Sequence, residues 1–252
     1  MKAMIFAAGL GTRLKPLTDT MPKALVPLAG KPLLQWQVEK LRDAGITDII
    51  VNVHHFPDMI IDTIRRNNGW GCNISISDER DMLLDTGGGL KKAVMEDPIL
   101  ACNVDILSNI DLRTLVSEYE RTGVSQLVVS ERKTQRYLCF DKRNCLCGWT
   151  NIATGELKGK DGRHLAFSGL QILNGEALRL LRQIQEDKFS LIDFYLHLCE
   201  QNYQSPITHH QSPITHHQSP IILKAYVPLD YRMMDVGKID QIEEAERFAE
   251  SL

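Results

Sequence analysis

The chain has 252 residues, and 43% of them are apolar, which is enough to build a sizeable core in one large α/β unit. Its formal net charge of −3, with no basic block, excludes the charge pattern of a nucleic-acid-binding protein. No apolar run approaches the roughly 20 residues of a membrane helix, and the first strand lacks a signal peptide's cleavage region. We therefore expect a cytoplasmic protein that binds neither nucleic acid nor membranes.

Strand and helix patterns alternate through the first half of the chain, which is typical of a parallel sheet flanked by helices. The predicted strands lie at 2–8, 48–54, 72–77 and 99–104. The predicted helices lie at about 32–44 and 58–68, and another is expected to open after the glycines at 87–89. Asp111 is predicted to cap a further helix, which Gly123 ends before a strand at 125–131.

Shorter strands dominate from about residue 135 onward. The segments at 136–141 and 145–150 flank Lys142–Asn144 as a predicted hairpin, and a longer strand is predicted at 163–173. Two helices, a strand at 221–227, a turn at Asp235 and a helix from Ile239 onward complete the pattern. We predict one domain over 1–252, with halves at 1–134 and 135–252.

The heptapeptide QSPITHH occupies 204–210 and again 211–217, and QSPI follows to 221. Because each copy contains proline, a continuous helix is excluded, and we interpret this loop as a tandem duplication tolerated at the surface. Its paired histidines could bind a metal, but no other ligands accompany them in sequence. The other histidines lack metal-ligand spacing. The six cysteines also lack Cys-x-x-Cys spacing, so we interpret them as reduced packing residues.

The predicted strand at 2–8 runs into a glycine-rich, basic loop. Gly9 and Gly11 allow close approach of the backbone to a ligand, and the cations Arg13, Lys15 and Lys23 follow. The pattern predicts a polyphosphate ligand. A dinucleotide-binding fingerprint is disfavoured because leucine occupies the position of its third glycine, and a P-loop is excluded because one residue, not four, separates the glycines.

Asp105 follows the predicted strand at 99–104. Ligands of open α/β sheets bind outside the carboxyl ends of the strands, where the glycine-rich loop also emerges. We therefore expect Asp105 and this loop to face the same crevice.

The run GLGTRLKPLTDTMPKALVPLAGKPLL resembles the signature of sugar-1-phosphate nucleotidyltransferases. The resemblance recurs at 84–89, 102–105, 167–169 and 234–237, and thus across nearly the whole chain. Among subgroups, the triple glycine after Asp85 and Thr86 is most similar to N-acetylmuramate-1-phosphate uridylyltransferases. Guanylyltransferases that activate mannose or heptose phosphates share much of the pattern.

The resemblance implies a Rossmann-like, mixed and mainly parallel sheet flanked by helices, the nucleotide-diphospho-sugar transferase fold, with a small β region on the sugar side. It implies a nucleotide-binding first half and a sugar-binding second half. The implied reaction transfers a nucleotidyl group from a nucleoside triphosphate to a sugar 1-phosphate with Mg²⁺. We expect UTP and N-acetylmuramate 1-phosphate, a precursor of cell-wall material, as substrates. GTP with mannose or heptose phosphate and a cytidylyltransferase remain alternatives, and the oligomeric state stays open.

The resemblance also implies residue roles. Arg13 would neutralise the leaving pyrophosphate, Lys23 would lie at the α-phosphate, and Asp105 and Asp235 would hold the metal. The implied nucleotide contacts are Ala8, Gly9, Gly11, Thr12, Asp85, Gly87 and Gly88. The implied sugar contacts are Asn103, Asn151, Ser168, Gly169 and Lys188.

Val104 departs from the family pattern, which commonly has glycine before the metal-binding aspartate. A β-branched residue restricts the backbone, and we expect it to add bulk near the sugar pocket or to reduce activity. This departure is the feature that favours a different class of function, a nucleotide-sugar-binding regulatory protein with little or no turnover.

Overall fold

The computed structural model describes residues 1–94, 97–204 and 222–252, with only the backbone described for 201–204. The predictions for the repeat loop at 204–221 and its paired histidines therefore fall almost entirely outside the described residues. Within the described part, no helix combines the length and the apolar character that crossing a membrane requires.

Fourteen strands and seven α-helices occur in the described ranges. The strands are β1 Lys2–Phe6, β2 Pro27–Leu28, β3 Lys31–Pro32, β4 Asp48–Val53, β5 Asn73–Asp78, β6 Ile99–Asn103, β7 Ile106–Ser108, β8 Ser125–Ser130, β9 Arg136–Phe140, β10 Leu146–Asn151, β11 Glu156–Gly159, β12 Arg163–Leu173, β13 Leu223–Tyr226 and β14 Met233–Asp235. The helices are α1 Leu33–Asp43, α2 Pro57–Arg66, α3 Asp85–Ala93, α4 Leu112–Thr122, α5 Gly175–Leu181, α6 Leu191–Gln204 and α7 Ile242–Ala249.

Ten strands form one mixed sheet. Strands β5, β4, β1 and β6 are parallel neighbours. β12 runs antiparallel to β6, β8 runs antiparallel to β12, and β13 lies parallel to β8. β12 also pairs with β9, from which β10 and β11 continue as antiparallel strands. The predicted sheet flanked by helices and the small antiparallel region in the second half are confirmed.

Apolar side chains cover both faces of the sheet, as the alternation along β1 illustrates. Ala3 and Ile5 belong to one core cluster, which contains the buried faces of α1, α2, α4 and α7. Met4 and Phe6 belong to a second cluster with α3, α5 and α6. Helices therefore flank both sides of the sheet, and its carboxyl edge is left to the loops that follow β1, β4, β5 and β6.

Local signals fix several element ends. The Asp111 carboxylate accepts hydrogen bonds from the backbone amides of Arg113 and Thr114, and Gly123 has the left-handed φ of 65° that ends α4. At the start of α6, the backbone amide of Asp193 donates to the Ser190 hydroxyl at 3.1 Å. The predicted Asp111 cap and Gly123 helix end are confirmed.

The predicted start of α3 is wrong. This helix begins at Asp85 and contains the three glycines, whereas the sequence pattern indicated a helix that opens after them. A Cβ atom at Gly88 would lie 1.9 Å from the carbonyl oxygen of Asp187, and one at Gly87 would lie 2.4 Å from the Phe189 ring. The glycines therefore allow the first turns of α3 to pack directly against the segment before α6.

Candidate active site

The glycine-rich loop after β1 is held by its own side chains. Gly11 has a φ of 65°, and the Thr18 hydroxyl donates to its carbonyl oxygen at 2.8 Å. A Cβ atom at Gly11 would lie 2.8 Å from Thr18 Cγ2. Gly9 has open space where a side chain would be, so a ligand can approach its backbone. Gly11 therefore shapes the loop, and Gly9 leaves it accessible.

Lys23 lies in a short helical turn after this loop, and its ammonium group forms an ion pair with the carboxylate of Asp105. Both side chains are largely buried, with exposed fractions of 11% for Lys23 and 15% for Asp105. Asp105 occupies the turn between β6 and β7, at the carboxyl edge of the sheet. The predicted shared crevice therefore brings this cation and this carboxylate into direct contact.

Asp235 reaches the same location from the opposite end of the chain. It ends β14, which pairs antiparallel with β7, and it lies opposite Ile106. Its carboxylate is 3.8 Å from the guanidinium Nη2 of Arg13, and both side chains are about half exposed. A Cβ atom at Gly237 would lie 2.7 Å from that same Arg13 nitrogen. The absence of a side chain at Gly237 therefore permits the close approach of Arg13 to Asp235.

The electrostatics of Asp235 fit a cation site. Burial and the neighbouring Asp105 carboxylate raise the pKa of Asp235, whereas Lys23 and Arg13 favour its charged form. Two carboxylates in direct proximity repel each other, and a hard divalent cation relieves that repulsion through oxygen ligands. The pair thus has the donor chemistry of a site for a hard divalent cation.

Lys15 does not join this group. Its ammonium group lies 3.0 Å from the Asp19 carboxylate, and both side chains are at least half exposed to solvent. It is thus a surface lysine of the loop.

The predicted base-binding segment divides into two parts. The amides of Gly87 and Gly88 both donate to the carbonyl oxygen of Phe189, at 2.9 and 3.2 Å, and both glycines are buried. The amides of these two predicted nucleotide contacts are therefore already paired within the protein. The exposed Asp85, with a φ of 62°, begins the helix and remains accessible.

A buried polar network supports this edge of the sheet, and the sequence reasoning missed it. The side-chain amide of Asn52 donates to Glu79 at 2.7 Å and accepts from the Ala7 amide at 2.7 Å. The second oxygen of Glu79 accepts from the Leu84 amide at 3.1 Å. Glu79 thus connects the end of β1 to the start of α3. An acidic residue directly after a strand was the available signal, the same one that identified Asp105.

Two side chains of α1 hold β7 in place through hydrogen bonds, and the sequence analysis did not predict them. Gln37 donates to the carbonyl oxygen of Ile106 at 2.7 Å, and the Lys40 ammonium group donates to the Ser108 hydroxyl at 2.8 Å. Burial lowers the pKa of Lys40 to about 8. Because β7 pairs with β14, these contacts also support Asp235.

The predicted sugar residues on β12 lie at an irregularity in the strand. The pairing of β12 with β8 shifts register between Phe167 and Gln171, and Gly169 within this bulge has a φ of 66°. A Cβ atom at Gly169 would lie 2.7 Å from the Asn103 side-chain amide. Gly169 and Asn103 are therefore neighbours beside Asp105. Ser168 is only 1% exposed, so its hydroxyl is not accessible to a ligand in this conformation.

The other two predicted sugar residues lie apart from this bulge. Asn151 ends β10, two strands away from β12, and its side chain accepts from the Ala153 amide at 3.1 Å within a turn. Lys188 is exposed in the segment that packs against Gly87 and Gly88, and so lies beside the predicted base segment. The structure does not bring either residue to Gly169.

Val104 contributes to the core and not to a pocket. The residue is 4% exposed and belongs to the cluster on the α1 face of the sheet. Its amide donates to the carbonyl oxygen of Phe6 at 3.2 Å. The expected bulk near the sugar pocket is therefore not observed.

The chain resembles known proteins in sequence and in fold. The sequence pattern of the nucleotidyl transferase family matches residues 2–137. The N-acetylmuramate alpha-1-phosphate uridylyltransferase of Neisseria meningitidis serogroup B is 43% identical over 114 residues, which cover 44% of this chain and 49% of that protein. The enzyme of the same name from Caulobacter vibrioides is 44% identical over 108 residues, which cover 41% and 45%. A mannose-1-phosphate guanyltransferase of Saccharomyces cerevisiae is 33% identical over 138 residues, which cover 52% and 38%. The matched part spans about half the length of the first two relatives.

Solved structures resemble the chain over nearly its whole length. HddC from Yersinia pseudotuberculosis, complexed with GMP-PN, has a TM-score of 0.71 at 23% identity and covers 98% of this chain and 99% of its own. A UDP-glucose pyrophosphorylase complexed with UDP-glucose has a TM-score of 0.74 at 18% identity, with coverage of 100% and 99%. At these identities the likeness shows the fold. Because the family pattern matches more than half of the sequence, the chain belongs to the nucleotidyl transferase family.

Proposed function

We propose that the protein transfers a nucleotidyl group from a nucleoside triphosphate to a sugar 1-phosphate, releasing pyrophosphate. The observation that carries this proposal is the convergence of Arg13, Lys23, Asp105 and Asp235 at the carboxyl edge of the sheet. A reaction between two polyanions requires charge neutralisation and alignment, and this group supplies two cations and a pair of carboxylates.

The proposed reaction forms one P–O bond and breaks another. An oxygen of the sugar 1-phosphate attacks the α-phosphorus, and the bond between that phosphorus and the bridging oxygen to the β-phosphate breaks. Because the sugar phosphate is already largely ionised near neutral pH, no general base is needed. Lys23 would neutralise charge at the α-phosphate, and Arg13 would neutralise charge on the leaving pyrophosphate. The backbone of Gly9 to Thr12 would hold the β- and γ-phosphates.

Magnesium is the proposed metal, and Asp105 and Asp235 would hold it. When bound, the ion would screen the reacting phosphates and supply Lewis-acid stabilisation. Lys23 already contacts Asp105, so it would lie beside both the metal ligand and the α-phosphate. This double position allows Lys23 to hold the Asp105 carboxylate in a fixed orientation.

We propose that the base binds between the start of the glycine-rich loop, at Ala8 and Gly9, and the start of α3, at Asp85. The paired amides of Gly87 and Gly88 then act indirectly, since they fix the helix that presents Asp85. The nucleotide would bind the half at 1–134, and the sugar would bind the half at 135–252 near Asn103 and Gly169.

UTP and N-acetylmuramate 1-phosphate are the proposed substrates. The N-acetylmuramate alpha-1-phosphate uridylyltransferases of Neisseria meningitidis and Caulobacter vibrioides are 43% and 44% identical to the matched part of the chain. A cation on the sugar side adds support, because muramate carries a carboxylate in addition to the phosphate, whereas hexose phosphates carry only the phosphate. Arg132 donates to the carbonyl oxygen of Phe167 at 2.9 Å, directly beside the bulge at Gly169, and its exposed guanidinium can meet such a carboxylate. The product would serve cell-wall precursor synthesis.

GTP with mannose or heptose phosphate is the second candidate. It is favoured by the 33% identity to a mannose-1-phosphate guanyltransferase and by the likeness to HddC, which was solved with GMP-PN. A regulatory protein without turnover is a weaker candidate, because Val104, the departure that suggested it, packs into the core.

A pyrophosphate-release assay tests these proposals. The purified protein is assayed with each of the four ribonucleoside triphosphates against the 1-phosphates of N-acetylmuramate, N-acetylglucosamine, glucose, mannose and heptose, with and without Mg²⁺. We expect release to be fastest with UTP and N-acetylmuramate 1-phosphate and to stop when the metal is chelated. Fastest release with GTP would support the second candidate. Nucleotide binding without turnover of any pair would refute the enzymatic proposal.

A further inference from the structure

A second group of metal-ligating side chains lies in the small antiparallel region, away from Asp105 and Asp235. Cys139 of β9 and His164 of β12 are direct partners across these antiparallel strands, so their side chains share one face. Asp161 lies in the connection between β11 and β12. One ligand atom from each of Cys139, Asp161 and His164 lies within 4.8 Å of the others.

Neighbouring groups orient these side chains. The Asp161 Oδ1 accepts hydrogen bonds from His164 Nε2 at 2.6 Å and from the Gly162 amide at 2.9 Å. The Tyr137 ring stacks on the His164 ring, with centroids 5.8 Å apart and an interplanar angle of 22°. The Gly162 amide and the Tyr137 ring are outer contacts of the kind that orient carboxylate and imidazole ligands around metals in proteins. The group is thus oriented by its surroundings and is more than an exposed ion pair.

The donor set selects the metal. A thiolate, an imidazole and a carboxylate match zinc, whereas magnesium prefers oxygen ligands alone. Tetrahedral zinc holds neighbouring ligand atoms about 3.4–3.6 Å apart, so the His164 and Asp161 atoms would separate by less than about 1 Å on binding. His164 and Asp161 are respectively 38% and 67% exposed, so the ion and a water ligand can enter from that side.

The nearby Cys147 is occupied elsewhere. Its thiol donates to the Cys139 carbonyl oxygen at 3.3 Å and faces the Lys160 carbonyl oxygen at 3.5 Å.

We propose that Cys139, Asp161 and His164 bind one zinc ion, with water in the fourth position.

The proposed ion would have a structural role. It would link β9 and β12 to the connection between β11 and β12. This link would stabilise the small antiparallel region next to the sugar side. Zinc binds cysteine as the thiolate, so binding releases the thiol proton, and we expect affinity to fall as the pH falls.

Cobalt provides a specific probe, because Co²⁺ bound to thiolate gives a near-ultraviolet charge-transfer band. Ligation by the oxygens of Asp105 and Asp235 or by the repeat histidines gives none. Chelator-treated full-length protein is titrated with Co²⁺ at pH 8. We expect the band to saturate at one equivalent and to disappear when Zn²⁺ is added.

Variants locate the site. The exposed His164→Ala should weaken Co²⁺ binding at least about tenfold, and Cys139→Ser should abolish the band. Cys145→Ser is the matched control, because its partly exposed thiol lies in the connection between β9 and β10, and it should keep the band. Zn²⁺ should raise the Tm of the parent protein more than that of His164→Ala. The absence of a band in the parent protein, or a band that His164→Ala leaves unchanged, would overturn the proposal even if Cys139→Ser fails to fold.

Discussion

The backbone amide of Val236 donates to the carbonyl oxygen of Asp105 at 2.8 Å. This hydrogen bond joins two segments that are about 130 residues apart, and it continues the pairing of β7 with β14. The relative position of the two aspartates therefore depends on backbone pairing and not on side chains alone. A pair that is fixed by backbone contacts can hold a cation without first reorganising.

Replacement of Lys23 should reduce turnover strongly. Lys23→Ala removes the buried cation beside Asp105, and we expect kcat to fall by about 10²–10³, the usual effect of losing one electrostatic stabiliser in an active site. The measurement is pyrophosphate release at saturating substrates. Lys15→Ala is the control, since that lysine pairs with Asp19 at the surface. Equal rates for the two variants would refute the role of Lys23.

Asp235→Asn should act on the metal requirement. The substitution keeps the size of the side chain but removes one of the two adjacent charges, so the Mg²⁺ concentration for half-maximal rate should rise at least about tenfold. Titration of the rate with Mg²⁺ gives this value. Asp19→Asn changes the charge of a surface carboxylate in the glycine-rich loop and should leave the titration unaltered. An unchanged midpoint in Asp235→Asn would remove Asp235 from the metal site.

Gly169→Ala should weaken sugar binding. The new methyl group would meet the Asn103 amide, so we expect the KM for the sugar phosphate to rise while the KM for the nucleotide stays the same. Gly155 is a matched control, because it has a similar φ of 73° but open space for a methyl group. Each substitution should cost about 1 kcal/mol through backbone strain. Similar KM values for the sugar phosphate in both variants would mean that the contact between residue 169 and Asn103 does not affect sugar binding.

Arg132→Gln tests the acidic group of the proposed sugar. We expect the KM for N-acetylmuramate 1-phosphate to rise about tenfold or more, as for a lost charge-assisted contact, with little change for N-acetylglucosamine 1-phosphate, whose sugar carries no carboxylate. Lys133→Gln removes the neighbouring exposed charge, and it controls for a long-range electrostatic effect that does not depend on contact with the sugar. A parallel rise with both sugars would argue against a contact with the carboxylate.

The lowered pKa of Lys40 predicts that the free energy of unfolding depends on pH. Its pKa is about 8 in the folded protein and 10.5 ordinarily, so between these pH values the unfolded state binds more protons. The contribution of Lys40 to the free energy of unfolding must then rise with pH across this window. Urea unfolding at pH 7.5, 9 and 10 should show the parent protein gaining stability relative to Lys40→Met. A constant or falling difference would contradict the lowered pKa.

Local features of the sequence were predicted well. The Asp111 cap, the Gly123 helix end and the strand at 163–173 depend on residues close together in the chain. Asp105 was predicted at the carboxyl edge because it directly follows a buried strand. The glycine-rich loop and Asp105 lie together because both follow parallel strands, whose carboxyl ends share one edge of the sheet.

Features that depend on distant contacts were missed. β14 has only three residues, and its pairing with β7 has no local signature. The glycines of α3 appeared available to a ligand because their contact, Phe189, lies about 100 residues later. Cys139 and His164 showed no metal-ligand spacing because a strand pairing, and not their separation along the chain, brings them together.

The position of Asp235 on β14 has a consequence for synthesis of the protein. Arg13, Lys23 and Asp105 emerge from the ribosome long before β14, which supplies the second carboxylate. A nascent chain that has reached β12 therefore presents a cationic loop with a single aspartate. Such an intermediate can attract phosphates but lacks half of the proposed metal ligands. The chain thus acquires its complete set of charged groups only when β14 pairs with β7.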